Sequence, residues 1–493
     1  MKIIRLLLFC CFLFLSQLAI SQFSNSNSLL QTPTGFNLPE DSTNHLHINK
    51  VTVAGNKKTK AYIITREAQI KTGDSILTAQ LYKITEQARL NVYNTTLFND
   101  VKINVIAIDA FTIDIEIVVK ERWYIYPTPQ FRLVDRNFNE WKDKYNADLR
   151  RVIYGVKFAH YNFSGRRDQV RLSLLNGYSR GVLVSYTAPY SNRKLTEGFS
   201  VDLAYTQSRE VNYSTSYNNS LKFFSILSSK DSNLKAFINK NFSLSTSYRI
   251  RKGVFNTHVF GINFNNSQVS DSITIKYNPN YFGNSKSSIS YLDFLYSYQH
   301  TNVNNVAYPL KGNTAFVSGL KRGFGFSGGV NSLMLEAGYN KFIDLGKGWY
   351  FVNGIAGLIR LPFKQAYINQ RGLGFGAAYL RGLELYAIDG VAFAINKSTL
   401  KKKIASFNIK VPFTIPFFLK KNDKIPFTFF AKTYADFGYN YSKENATFLT
   451  NKLLYSGGFG IDMLTFYDFV VRFEYSFNQL NEKGLFLRLQ SSF

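Results

Sequence analysis

Gly325-Phe326-Ser327-Gly328-Gly329 has the G-x-S-x-G spacing of a hydrolase nucleophile elbow. In that role the serine sits on a strand-to-helix turn of an α/β fold and needs a histidine as its base. Here the flanking segments read as strands, and the five histidines, His45, His47, His160, His258 and His300, are scattered. A barrel phospholipase would place serine and histidine on an outer wall, where His160 or His258 could stand. Neither has an acidic or amide partner in the pattern. No cluster with metal-ligand spacing, no phosphate loop and no nucleotide fingerprint occurs. The residue pattern points away from an enzyme and gives no sign of a cofactor or metal.

The elements that would position any site are mostly strands. From Trp123 onward, candidates begin near Trp123, Val152, Gln169, Gly181, Phe199, Thr215, Ala236, Phe255, Ser288, Asn313, Val330 and Trp349. Others begin near Lys403, Ile425, Tyr455, Phe469 and Leu485. That is one too many for a closed antiparallel barrel with both termini on one side, which needs an even number. The surplus is expected between 210 and 270. In the later strands the ionisable groups keep to one face. Phe427, Phe429, Ala431, Ala435 and Phe437 alternate with Thr428, Phe430, Lys432, Tyr434 and Asp436; Phe459, Ile461 and Met463 alternate with Gly458, Gly460 and Asp462. The last segment sets Leu485, Leu487, Leu489 and Phe493 against Phe486, Arg488, Gln490 and Ser492, and stops on an aromatic. A strand with one apolar and one polar face can stand between lipid and an aqueous lumen.

An export signal fits this reading. Lys2 and Arg5 form a basic n-region, Ile3 to Leu15 is almost wholly apolar, and Ala19-Ile20-Ser21 offers small residues for cleavage before Gln22. Cys10 and Cys11 both fall in this segment, so disulfide and thiol chemistry is excluded from the mature chain. Residues 22–46, rich in Ser, Asn, Thr and Pro, read as a flexible leader. No segment has eighteen unbroken apolar residues, the length of a transmembrane helix. Aromatics are 16% and the net charge is +27. In an exported barrel that charge suits anionic lipid head groups and surface glycans rather than nucleic acid.

Residues 47–121 differ from the rest. They predict the order β-α-α-β-β, with Thr59 and Thr78 capping the helices and both helices on one face of a three-stranded sheet. The pattern Val51, Val53, Gly55-Asn56, Thr59, Ile64, Arg66-Glu67, Gly73-Asp74, Leu97-Phe98, Val101 and Val118 to Arg122 resembles a POTRA domain, the periplasmic module of BamA-type outer-membrane barrels. The resemblance covers 47–493, with 122–493 as the barrel, and high Phe, Tyr, Asn and Lys usage is reminiscent of Bacteroidetes members.

The resemblance implies a transmembrane β-barrel of sixteen antiparallel strands behind one small α+β module, in the outer membrane with the POTRA domain in the periplasm. The Gly-rich connection from Gly372 to Gly390 resembles the loop that folds into the lumen, with an Arg-Gly pair at its tip. Arg381-Gly382 would be that pair, with Leu383 in place of the usual aromatic. A buried arginine needs a carboxylate. Asp436 is the first choice and Asp462 the second. Such proteins insert other barrels or pass polypeptides across the membrane without ATP. The expected partners are unfolded outer-membrane protein clients, outer-membrane lipids or lipopolysaccharide, and periplasmic lipoproteins or chaperones. Clients would add to a POTRA edge at Ile48, Val51 and Val53 or at Val101 and Ile103. They would then meet a lateral seam between Trp123-Tyr124 and Leu485, Leu487, Leu489 and Phe493. A translocation pore of the two-partner-secretion type and a passive barrel with a docking module are the alternatives.

Overall fold

The computed structural model describes residues 43–133, 148–225, 237–324, 330–376, 378–412, 424–444 and 447–490. The expected export signal, most of the leader, the Ser327 motif and Phe493 lie outside the described residues. The chain forms two compact units. Of the described residues, one holds those up to Thr52 with Lys71–Leu81 and Ile103–Ile117; the other holds Val53–Ile70, Tyr82–Lys102 and those from Val118 on.

The N-terminal elements are β1 (His45–Ala54), α1 (Ala61–Ala68), β2 (Ser75–Leu77), α2 (Leu81–Tyr93), β3 (Phe98–Ala107) and β4 (Thr112–Glu121). Their sheet has the order β2-β1-β4-β3, four strands rather than three. The extra strand follows from the turn at Gly73-Asp74. Asp74 Oδ2 accepts from Lys71 N at 2.8 Å, Gly73 N donates to Ile48 O at 2.8 Å, and Ile48 N donates to Asp74 O at 2.9 Å. This lays Ser75–Leu77 beside His45–His47. In β4, Ile113, Ile115, Ile117 and Val119 are buried on one face by simple alternation. The helices start differently from expectation. Lys60 holds the N-cap of α1 with no side-chain cap, because the Thr59 hydroxyl is engaged by Tyr124 OH at 3.1 Å and Asn162 Nδ2 at 2.9 Å. Thr78 lies within a short 3-10 turn ahead of α2 and donates to Asn44 O at 3.0 Å. Tyr62 is exposed, and the buried face of α1 is Ile63, Ile64, Glu67 and Ala68.

The second part is a sheet of sixteen antiparallel strands among the described residues, with a β-barrel-like fold. Its first half is β5 (Ile125–Leu133), β6 (Val152–His160), β7 (Gln169–Gly177), β8 (Ser179–Ala188), β9 (Glu197–Ser208), β12 (Asn239–Ile250), β13 (Asn256–Val269) and β14 (Ser288–Val303). Its second half is β15 (Gly312–Arg322), β16 (Ser332–Gly346), β17 (Trp349–Leu361), β18 (Ala392–Lys410), β19 (Lys424–Tyr441), β20 (Leu453–Thr465), β21 (Phe469–Asn478) and β22 (Lys483–Gln490). The surplus strand is the one expected at Thr215. Glu210–Thr215 (β10) and Leu221–Ser225 (β11) form a separate hairpin, and β9 pairs directly with β12. The strand expected at Lys403 begins at Ala392 instead.

Faces are inverted relative to a soluble sandwich. Phe437, Tyr439, Phe459, Ile461 and Phe473 stand exposed, while Asp436, Asn440, Asp462 and Glu474 are buried inside. A wall apolar outside and ionic inside matches lipid outside and water within. Among the described residues no helix is long and apolar enough to cross a membrane. The end at which β5 begins is called the near end here, and the other the far end. At the far end the loops pack on one another. Leu373, Leu380, Leu383 and Ile388 of the 362–391 loop cluster with Leu449 and Leu454, and Val211 of the hairpin clusters with Ile273, Tyr281 and Tyr367. Asn219 at the hairpin tip donates to Ala387 O at 3.1 Å and Thr447 Oγ1 at 2.6 Å, and accepts from Leu449 N at 2.9 Å. Asn219→Ala strands these buried groups. It is expected to cost about 1–3 kcal/mol and to speed protease cleavage at the 216–220 turn, with strand content by circular dichroism unchanged.

Candidate functional site

Three sets of residues converge inside the sheet and at its near end. The first is the tip of the 362–391 loop. Arg381 Nε and backbone N both donate to Asp436 Oδ2, at 2.9 and 3.0 Å, and Nη2 donates to Asp436 Oδ1. Nη1 donates to Thr399 Oγ1 at 3.0 Å, and the guanidinium lies 4.0 Å over the Tyr434 ring. The alternation of β18 and β19 points Thr399, Tyr434 and Asp436 inward; the loop brings the arginine. Gly382 has φ +84°, and a Cβ there would meet Ser476 Cβ at 3.0 Å. Its carbonyl accepts from Asn478 Nδ2 at 2.8 Å. Glycine is therefore required both by its backbone and by the approach to β21.

Asp462 belongs to a second set. It pairs with Lys432, lies 3.7 Å from Lys401 Nζ, and accepts from Tyr308 OH at 2.7 Å. Lys432 also reaches Glu474 Oε1 at 2.6 Å. Glu474 Oε2 is 3.3 Å from Arg488 Nε of β22, and Arg488 pairs with Glu384 of the loop. The loop thus grips the lumenal side of β19, β21 and β22. Tyr308 arrives from the near-end turn between β14 and β15 and packs on Phe430.

The third set lies at the near end. Glu67 of α1 is 1% exposed, and both its oxygens accept from Arg251, at 2.6 and 3.1 Å. Arg66 reaches it at 2.8 Å and Tyr190 also donates to it. Burial pushes its carboxyl up, but Arg251, Arg167 and Arg66 outweigh that and hold it at about 2. Arg122, just before β5, pairs with Asp468, in the turn before β21, at 2.5 Å. Asp468 also accepts from Tyr93 OH at 2.8 Å and Asn305 Nδ2 at 3.1 Å. Sequence reading marked Arg66-Glu67 only as part of a pattern and missed Asp468. Asp468 has φ +56°, a conformation a sequence does not display.

The strand order runs from β5 to β22, and among the described residues no ladder joins these two edges. Trp123 and Tyr124, expected in the seam, precede β5. The Trp123 indole donates to Ile125 O, and Tyr124 is buried with its hydroxyl on Thr59 and Leu97 O. Leu485, Leu487 and Leu489 do lie on the edge strand β22. On the N-terminal sheet, Ile48, Val51 and Val53 belong to β1, second in the strand order, which β2 covers only along His45–His47. Val101 and Ile103 belong to the edge strand β3, with their side chains buried.

Two outcomes test these arrangements. Asp436→Asn leaves Arg381 buried beside a neutral amide and is expected to cost about 3–5 kcal/mol; the joint change Arg381→Met with Asp436→Leu should recover most of it, read by thermal unfolding. Glu67 has a depressed folded pKa, so its contribution is complete above the ordinary 4.5 and fades as pH falls toward 2. Glu67→Gln should lower the unfolding temperature at pH 7, with the gap from wild type closing as pH falls through 4.5.

Residues 46–122 match the POTRA family, described as a surface antigen variable number repeat. No curated protein matches the chain. Among solved structures, CdiB from Escherichia coli aligns over 90% of this chain and 76% of its own, with 9% identity and a TM-score of 0.50. BamA from Haemophilus ducreyi lacking POTRA domains 1–3 aligns over 90% and 83%, with 14% identity and a TM-score of 0.47. CdiB from Acinetobacter baumannii aligns over 90% and 73%, with 11% identity and a TM-score of 0.45. A POTRA match at 46–122 thus precedes a sixteen-stranded antiparallel sheet, and the chain shares its fold with CdiB from Escherichia coli.

Proposed function

We propose that this protein is an outer-membrane assembly factor that helps client proteins fold into the membrane through a lateral seam between β5 and β22, without ATP and without chemistry on the client. The observation that carries the reading is that the strand order ends at these two strands, with no ladder between them among the described residues. In hydrocarbon, edge N–H and C=O groups need partners, so a loosely closed seam favours pairing with an incoming strand. The outward apolar wall supports an outer-membrane location, with the near end and the POTRA domain in the periplasm. The edge strand β3 supports client capture there by backbone pairing, since its side chains at Val101 and Ile103 are committed to the core.

Vertical passage of a polypeptide is the second reading. The interlocked far-end loops and Tyr308 at the near end count against it, because both would have to leave the lumen. The Arg381–Asp436 pair acts structurally in this account, pinning the loop to the wall that carries the seam.

The test is reconstitution in liposomes with a urea-unfolded barrel client, following protease-protected folding. The control locks the seam with cysteines at Ile125 and Leu489, in a chain with Cys10 and Cys11 replaced by serine. Acceleration over empty liposomes, lost on locking and regained on reduction, is the expected result. Folding no faster than in empty liposomes removes the assembly reading.

A further inference from the structure

Near-end turns and the inner faces of three strands border a cavity of about 200 Å³. Its whole lining belongs to one compact unit, the one that carries α1. Arg167 comes from the turn between β6 and β7, Tyr190 from that between β8 and β9, and Arg251 from that between β12 and β13. Arg249 lies at the end of β12, where Leu244, Thr246 and Tyr248 are the exposed row, so alternation turns it inward. Thr257 of β13 and Gln299 of β14 stand opposite each other in register.

Charge in this cavity does not balance. Glu67 is the one carboxylate of the lining, against Arg167, Arg249 and Arg251. Its oxygens are already engaged by Arg251, Arg66 and Tyr190. Arg249 is half-buried, and among the described residues its side chain has no hydrogen bond and no ion pair. Among the same residues the Arg167 guanidinium has only the Tyr190 hydroxyl, at 3.4 Å. Thr257 and Gln299 bring neutral side-chain donors that no described residue uses. The backbone of Arg167 adds an independent sign. Its φ is +66°, in the region that favours glycine, and its N–H is fixed by Oδ1 of the fully buried Asn162 at 2.9 Å. A turn that keeps an arginine where glycine would sit more easily, in a cavity with two further arginines, is arranged for a ligand.

We infer that this cavity binds a phosphoryl group, held by Arg167 and Arg249 with Thr257 and Gln299 as neutral donors. Guanidinium forks match phosphate oxygens in pairs. Arginines that arrive from separate elements suit a tetrahedral ion better than a flat carboxylate. A phosphate monoester carries roughly two negative charges at neutral pH, which answers the two arginines that have no acid. At about 200 Å³ the cavity is smaller than sites for drug-sized ligands, roughly 300 Å³ and above, so a small ion or a head group fits it. Inorganic phosphate and the phosphate of a lipid head group share this chemistry. The site needs no client and stands apart from the assembly reading.

The experiment is equilibrium dialysis of the full chain in detergent micelles against radiolabelled inorganic phosphate. Saturable binding of one phosphate per chain is expected. Arg249→Met should weaken it about tenfold or more, and Arg249→Lys, which keeps the charge but not the fork, should retain part of it. Glu67→Gln removes the competing carboxylate and should tighten binding several-fold. Added phosphate should therefore raise the unfolding temperature of Glu67→Gln more than that of wild type. Arg180→Met, at the far end, should leave binding unchanged. Competition by short-chain phosphatidic acid would assign the site to a lipid head group, and its failure to compete would assign it to free phosphate; both support the inference. No saturable binding in wild type, or binding unchanged in both Arg249→Met and Arg167→Met, would overturn it.

Discussion

A backbone amide that faces hydrocarbon must find an acceptor, and most of this structure follows from that requirement. Among the described residues, fourteen interior strands meet it on both sides through ladders, and two, β5 and β22, on one side. The cost of the remaining N–H and C=O groups, several kcal/mol each when unpaired in lipid, is concentrated at a single line along the wall. Closing that line with β5 alone is an incomplete solution, because Pro127 and Pro129 bring no donors to it.

The ionic interior is arranged around the same line. The 362–391 loop has its charged contacts on β19, β21 and β22 through Arg381, Glu384 and Gly382. The second set, Lys432 with Asp462 and Glu474, ties β19 to β20 and β21. Buried charges of this sort add little net stability against an apolar core, yet breaking one partner is expensive. Their effect is to hold the last four strands in one arrangement. At the near end Arg122 and Asp468 connect the residue before β5 with the turn before β21, so the base of the seam is tied below the strands themselves.

Much of this was legible in the sequence. Alternation separated the row Lys432, Tyr434 and Asp436 from the row Phe427 to Phe437, and the export signal with the terminal aromatic put the apolar row outward. It also suggested a wall strand beginning near Thr215, where the chain forms the hairpin of Glu210–Thr215 with Leu221–Ser225. That hairpin packs on loops, and alternation does not distinguish the two surroundings. The four-stranded N-terminal sheet was missed because Ser75–Leu77 is too short to show a period. Glu67 with Arg251 and Arg122 with Asp468 are separated by 184 and 346 residues, and only the folded chain brings such partners together. Pro127 and Pro129 were plain in the sequence, but their meaning depends on ladder phase, which only coordinates supply.

Under the assembly reading Leu485, Leu487 and Leu489 of β22 direct unsatisfied amides to the seam, since the Asn478 N–Glu482 O bond sets the even residues of this strand on β21. Residue-resolved hydrogen exchange of the full chain in lipid nanodiscs tests it most directly. The amides of Leu485, Leu487 and Leu489 are expected to exchange at least tenfold faster than those of Gly484, Phe486 and Arg488 in the same strand. Uniform protection along β22, equal to that of the interior strand β13, would contradict it.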